Sequence, residues 1–244
     1  MPPDTPADQF EALGLAILFA AIFAGASRVP LPPALARRER GLVSFFVGLS
    51  LAYDFVHLLP ELETARASLK LPGRLPLPPE AYLVSVAALA GCMLFFVLGR
   101  LPVGEPAGRP PLGMHLRLAI FAFYVALVSY SRITMVEHGK LPALFFAVGM
   151  GTHFLALDHA LGRDLGAPYR RYGGFVLAGA SLLGWVAGAT EAVGLPVMLL
   201  LFGFVAGAVI AHSLIEELPD ARETRLGPFI AGSILCALIL LPFG

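Results

Sequence analysis

Eight apolar runs set the first constraint on this chain. Each approaches the 20 or so residues that a helix needs to cross the hydrocarbon of a bilayer. They lie near 10–28, 42–61, 81–99, 117–136, 142–161, 173–191, 196–217 and 226–243. The runs are unbroken, whereas the strands of a membrane barrel alternate apolar and polar residues. The expected fold is therefore all-α, a polytopic membrane protein in which residues 1–244 make a single transmembrane domain. Composition agrees. Charged residues make up 14% of the chain and hydrophobic ones 57%, against about a quarter charged in a soluble domain. The formal net charge is zero, so no nucleic-acid partner is expected, and the lipid bilayer is.

Proline and glycine mark the connections. "RVPLPPALARRER", "KLPGRLPLPPE" and "RLPVGEPAGRPPLGMH" are too rich in both to continue a helix. Pro142 and Pro196 fall near the first turns of the fifth and seventh runs, where a missing N–H costs little. The start, "MPPDTPADQF", lacks the basic region of a signal peptide, so the first run is expected to be a retained span. With the N-terminus outside, the inward loops hold 12 of the 17 Lys and Arg residues. Both termini are therefore expected outside a cytoplasmic membrane. Cys92 and Cys236 sit in apolar runs at a spacing that fits neither a zinc finger nor a redox pair.

Ionisable residues inside such runs are costly and usually face protein or water. "LAYDFVHLLPEL" (51–62) holds Asp54, His57 and Glu61. Their spacing puts them in one column of an α-helix. "AVIAHSLIEELPD" (208–220) holds His212 and Glu216 at the spacing of His57 and Glu61. Each stretch also has a proline, Pro60 or Pro219, which frees the carbonyl of Val56 or Ile215. An imidazole, a carboxylate and a free carbonyl suit a divalent cation or a proton relay. A second reading stands for Glu61, Glu216 and Glu217: near helix ends, the headgroup zone makes ionisation cheap. The second and seventh runs hold matching places counted from either end and run oppositely. That is the trace of an inverted repeat, common in secondary transporters.

"HLLPE" at 57–61, "HSLIEELPD" at 212–220 and the final "GPFIAGSILCALILLPFG" resemble the corresponding runs of the ZIP family of divalent metal transporters. The resemblance implies eight helices arranged 3+2+3 with both ends outside. It also implies transport of a divalent cation such as zinc, as cargo rather than cofactor. The chain departs from the family in its fourth and fifth runs, where the family builds its transport site. "FYVALVSYSRITMVEHG" lacks the family's His-Asn and Asp-Gly pairs and carries Arg132 instead. "GTHFLALDHALGRD" matches His159 to the second histidine of the helix 5 motif, while Leu155, Ala156 and Ala160 replace the other ligands. His153 lies outside that motif. His153 and His159 are six residues apart, about 240° around a helix, and do not share a face. Asp158 and His159 also diverge. Arg132 would repel a metal. It is read either as pairing with Asp158 or as snorkelling to the outer edge.

"GWVAG" (184–188) and "GFVAG" (203–207) permit close helix approach, expected within the bundle and open to use in a homodimer. No nucleotide-binding, metalloprotease, serine-hydrolase or haem-attachment motif appears, and the chain is not expected to be an enzyme. An intramembrane metal-dependent hydrolase is the weakest option. The leading expectation is a divergent ZIP-like transporter that rocks helices 1–3 against 6–8. His57, His153, Asp158, His159, His212 and Glu216 are its metal candidates, and Asp54, Glu61 and Arg132 belong to its polar network. The alternative is a non-transporting relative, a sensor or interaction partner that has lost the central site.

Overall fold

A computed structural model describes residues 6–26, 28, 39–69, 81–100, 112–135, 140–190, 193–214 and 225–241. Eight helices stand among these residues, and no strand. They are α1 (Pro6–Gly25), α3 (Ala81–Arg100), α4 (Leu112–Met135), α5 (Lys140–Asp164), α7 (Leu195–His212), α8 (Leu226–Leu240) and two composite helices. In α2, Glu39–Tyr53 passes through a π-helical turn at Asp54–Leu58 into Leu59–Ser68. In α6, Gly166–Pro168 passes through a π-helical turn at Tyr169–Gly173 into Gly174–Thr190. Six helices have the length and hydropathy of membrane spans, whereas the apolar parts of α1 and α8 are shorter over the described residues. These are the helices of an integral membrane protein. Large apolar side chains such as Val86, Leu89, Met93, Leu183 and Leu238 are exposed, as suits surfaces that meet lipid.

Two boundaries differ from expectation. α2 does not end near Pro60 but runs on to Ser68. Proline lacks the N–H and its ring crowds the carbonyl four residues back. The π turn just before it widens the helix, with the Leu59 N–H bonding Asp54 O. The chain thus accommodates Pro60 without stopping. "GAPYRRYGG" likewise looks like a loop but is the first part of α6. Only Leu165 separates α5 from α6, and Gly166 makes the reversal at φ +63°, a conformation that glycine adopts without strain. Pro196 does fall in the first turn of α7, as expected.

By their contacts the helices gather into two compact units. One, Arg40–Val97 with Ala192–Gly244, holds α2, most of α3, α7 and α8. The other, Pro2–Glu39 with Leu98–Glu191, holds α1, α4, α5 and α6. The first unit thus joins helices from the two halves of the chain, and the second joins α1 to the middle helices α4, α5 and α6.

In the α2 unit, glycines let helices touch backbone to backbone. A Cβ on Gly48 would meet the carbonyl of Phe229, and one on Gly232 would meet that of Phe45. The α3–α7 contact repeats this arrangement: Gly207 lies on the Ala88 carbonyl, and Gly91 on that of Phe204. Gly203 of the "GFVAG" stretch lies against Val84. In both crossings the carbonyl and the glycine of each helix are one i, i+3 step apart. The crossing of α2 with α8 is thus made a second time by α7 with α3. The register lays Phe45 and Gly48 on Phe204 and Gly207, and Ala88 and Gly91 on Phe229 and Gly232. Carried along the sequence, it lays Tyr53 on His212, Asp54 on Ser213, His57 on Glu216 and Pro60 on Pro219. The π turn that starts at Asp54 has a counterpart starting at residue 213. The repeat is therefore not in the register that superposes His57 on His212. It is offset by one helical turn.

In the α1 unit, α6 packs on α4 and α1, and α1 also packs on α5. Gly184 of "GWVAG" lies on the Ala126 carbonyl, and Gly174 on that of Phe23. Both GxxxG stretches thus serve packing inside a unit, as expected. Phe19 and Phe23 close on Phe154, with ring centroids 4.9 and 5.1 Å apart. Arg28 ends α1: its Nη1 donates to the Phe23 and Ala24 carbonyls, and its guanidinium stacks 4.2 Å over the Phe175 ring.

Candidate functional site

Asp54 opens the π turn of α2 and is 1% exposed. The turn contacts α7 and α8, and Asp54 lies within electrostatic reach of Cys236 on α8. His57 and Glu61 do not share its burial. They are partly exposed and face each other, with Nε2 3.4 Å from Oε1. The His57 ring lies 5.1 Å from that of Tyr53. The expected single column of Asp54, His57 and Glu61 is therefore broken. The π turn adds a residue to one helical turn and rotates the rest of α2 by about 100°. Glu61 is also not at a helix end, because α2 continues to Ser68.

His212 is 3% exposed near the end of α7, edge-on to Phe95 at 6.5 Å. Ser213, the next residue, is buried too, and so is Ser50, one turn before Asp54. Glu216 and Glu217 lie outside the described residues, as do Ile215 and Pro219.

His153, Asp158 and His159 belong to the other unit. His153 is buried, and its Nε2 lies 3.0 Å from the Tyr124 hydroxyl. Asp158 is buried and accepts a 2.6 Å hydrogen bond from the Tyr169 hydroxyl. His159 is exposed, so the expected divergence of the adjacent pair holds. The fourth-to-fifth helix pairing of Arg132 with Asp158 lies outside the described side chains, because the side chain of Arg132 is not among them. Among the described residues, no three His, Cys, Asp or Glu side chains form a group able to hold a metal ion.

Several polar residues that organise the units carry no motif. Tyr169 is placed by the π turn of α6, and Gly173 makes room for its ring: a Cβ there would strike the ring carbon Cδ2. Ser129 and Ser181 share a 2.9 Å hydrogen bond, and Ser181 also donates to the Ala16 carbonyl. Arg117, 4% exposed, pairs with Asp164 at 3.5 Å. The hydroxyls of Ser50 and Ser213 are buried with no hydrogen-bond partner among the described residues. In sequence, the signal for Ser50, Ser129, Ser181 and Ser213 is a hydroxyl inside an apolar run, which is too common to single them out.

The arrangement provides two buried polar regions, one in each unit. In one, tyrosines engage an imidazole and a carboxylate. In the other, Asp54 and His212 occupy adjoining positions of a repeated helix crossing. No protein-family model matches the chain, and no curated protein does.

Proposed function

We propose that this protein is a secondary transporter of ZIP-like architecture that carries a small cation, with divalent metals such as zinc as the cargo class, across the cytoplasmic membrane. The observation that carries the reading is the repeated crossing: α2 on α8, and α7 on α3, each with a π turn at the matching place. Four spans between α2 and α7 would make the repeat inverted, and pairing α1 with α6, α2 with α7, α3 with α8 and α4 with α5 gives the 3+2+3 order. Each compact unit is closed under that pairing. Inverted repeats of this kind support alternating access in secondary transporters, with the cargo held where broken or widened helices meet. Asp54, His57, His212 and Glu216 are the repeat's own ionisable residues. His153, Asp158 and His159 are the candidates of the α1 unit, with both termini outside.

The alternative reading is a non-transporting ZIP-like protein. It is favoured by one observation: the hydrogen bonds of Tyr124 to His153 and of Tyr169 to Asp158 already occupy groups that a metal path would use.

Uptake of radioactive zinc into vesicles that hold the purified protein tests the reading. Saturable uptake that falls by at least about tenfold in His212→Ala supports transport. Zinc binding without flux supports the alternative, and neither binding nor flux removes zinc from both.

A further inference from the structure

One end of the α1 unit gathers arginines. Arg28 follows α1, Arg117 stands in the first turns of α4, Arg163 in the last turn of α5, and Arg170 and Arg171 in the first turns of α6. Contacts tie them to one place. Arg117 and Arg163 each lie 3.5 Å from Asp164, the carboxylate they share. Arg170 donates to the Gly162 carbonyl near the end of α5, and Arg28 to the Phe23 and Ala24 carbonyls at the end of α1. Asp158, deeper in the unit, accepts its bond from Tyr169. Among the described residues, no carboxylate forms an ion pair with Arg28, Arg170 or Arg171. Helix C-terminal ends carry about half a negative charge each, so the ends of α1 and α5 offset about one of these three positive charges. The Arg28 Nη2 is left with no hydrogen-bond partner among the described residues, and Arg171 is exposed. An unpaired charge beside hydrocarbon is costly, so an anion is favoured here.

Beyond the arginines, the outer face of α6 is apolar. Steps of four residues make one ridge of a helix, and this ridge reads Arg171, Phe175, Gly179, Leu183. Phe175 is 57% exposed and Leu183 69%. Gly179 makes a dip between them, where an added Cβ would touch nothing within 4 Å. The Phe175 ring also carries the Arg28 guanidinium, 4.2 Å from its centroid. Arg28 therefore stands one turn from Arg171 on the same face. The 12 residues from Arg171 to Leu183 rise about 18 Å. One leaflet's share of the hydrocarbon core is ~15 Å. A cationic end on an apolar ridge as long as a leaflet fits an amphiphile rather than a soluble anion.

From this we infer that the α1 unit binds one anionic phospholipid where α1, α5 and α6 meet. Its phosphate sits between Arg28 and Arg171, and an acyl chain lies in the dip at Gly179. Basic clusters between spans suit such headgroups, and a planar guanidinium matches a phosphate with two parallel donors. The site requires only that α6 crosses a bilayer, so it goes beyond the transport reading and does not depend on it. The dip separates it from the general attraction of basic residues to an anionic surface, which involves no particular chain.

The test uses the full chain in nanodiscs of phosphatidylcholine, alone or with a rising fraction of phosphatidylglycerol. Phosphatidylglycerol should raise the melting temperature saturably, as expected for a ligand that binds only the folded state. One copy should stay bound in native mass spectrometry. Arg28→Gln and Arg171→Gln should each raise the fraction of phosphatidylglycerol needed by about tenfold, or ~1.4 kcal/mol. Gly179→Leu fills the dip without touching charge and should raise it by about fivefold. Arg66→Gln, in the other unit, should leave it unchanged. Arg28 also ends α1, so if Arg28→Gln does not fold, Arg171→Gln and Gly179→Leu decide. Equal melting in the two lipids overturns the inference. So does phosphatidylglycerol binding that Arg171→Gln and Gly179→Leu leave intact, which would mean a diffuse basic surface. Glycerol phosphate that stabilises the protein in pure phosphatidylcholine as well as the lipid does would also overturn it, by making the ligand a soluble anion.

Discussion

Tyr124 and Tyr169 turn their hydroxyls onto His153 and Asp158 in one unit, and Ser129 and Ser181 turn theirs onto each other. In the other unit the helices meet glycine on carbonyl, and the hydroxyls of Ser50 and Ser213 have no partner among the described residues. Helices in lipid gain little hydrophobic drive toward one another, so they hold together by close packing and by interhelical hydrogen bonds. Both units use glycine-on-carbonyl contacts; the α1 unit adds buried side-chain pairs and aromatic packing, and the α2 unit adds a bond from Ser233 to the Gly48 carbonyl. The difference lies in Ser50 and Ser213, buried hydroxyls that the α2 unit leaves without a partner among the described residues.

The sharpest way to break this contrast is at a glycine crossing. Gly207→Val should cost about 3 kcal/mol or more, because its side chain has nowhere to go but into the Ala88 carbonyl. A melting curve of the purified protein, or loss of folded yield, reads this directly. Unchanged melting would mean that α3 and α7 are not in contact through glycine. Tyr169→Phe comes next. It removes the hydroxyl that Asp158 accepts and should cost about 1–3 kcal/mol. A double-mutant cycle with Asp158→Asn should show coupling, and additive losses would contradict the pair. Ser181→Ala, which loses bonds to Ser129 and the Ala16 carbonyl, should cost about 1 kcal/mol. Ser213→Ala and Ser50→Ala, which remove buried hydroxyls without a partner among the described residues, should be neutral or stabilising. Equal losses at Ser181 and Ser213 would erase the difference between the units. Glu61→Gln should also have a small effect, since partly exposed i, i+4 ion pairs contribute roughly 0.3–0.5 kcal/mol.

The helices are legible in the sequence because a membrane span advertises itself by length and hydropathy, and all eight runs correspond to helices. Their ends are less so. Pro60 reads as a terminator to anyone counting hydrogen bonds in an α-helix, and only a widened turn lets α2 continue to Ser68. That same turn separates Asp54 from His57 and Glu61, so a column argued from a regular helix fails at the place where it matters. The glycine stretches do announce internal packing, because "GFVAG" and "GWVAG" each supply a bare face. The partners of His153 and Asp158 are not readable. Tyr124 is 29 residues from His153, and Tyr169 sits in a stretch whose proline, glycines and arginines look like loop. The register of the repeat is also hidden, since the two histidines invite an alignment one turn away from the one the glycines impose.

The hydrogen bond from Tyr169 to Asp158 spans 11 residues of chain, whereas that from Ser129 to Ser181 spans 52. α5 and the first turns of α6, joined through Leu165 and Gly166, can therefore meet before α7 and α8 have been synthesised. Asp158 would then enter the bilayer already carrying its hydrogen-bond donor, and the cost of placing an acid among lipid tails would be met locally, during insertion. The tight turn at one glycine thus bears on how the chain is threaded into the membrane, and not only on how it rests there.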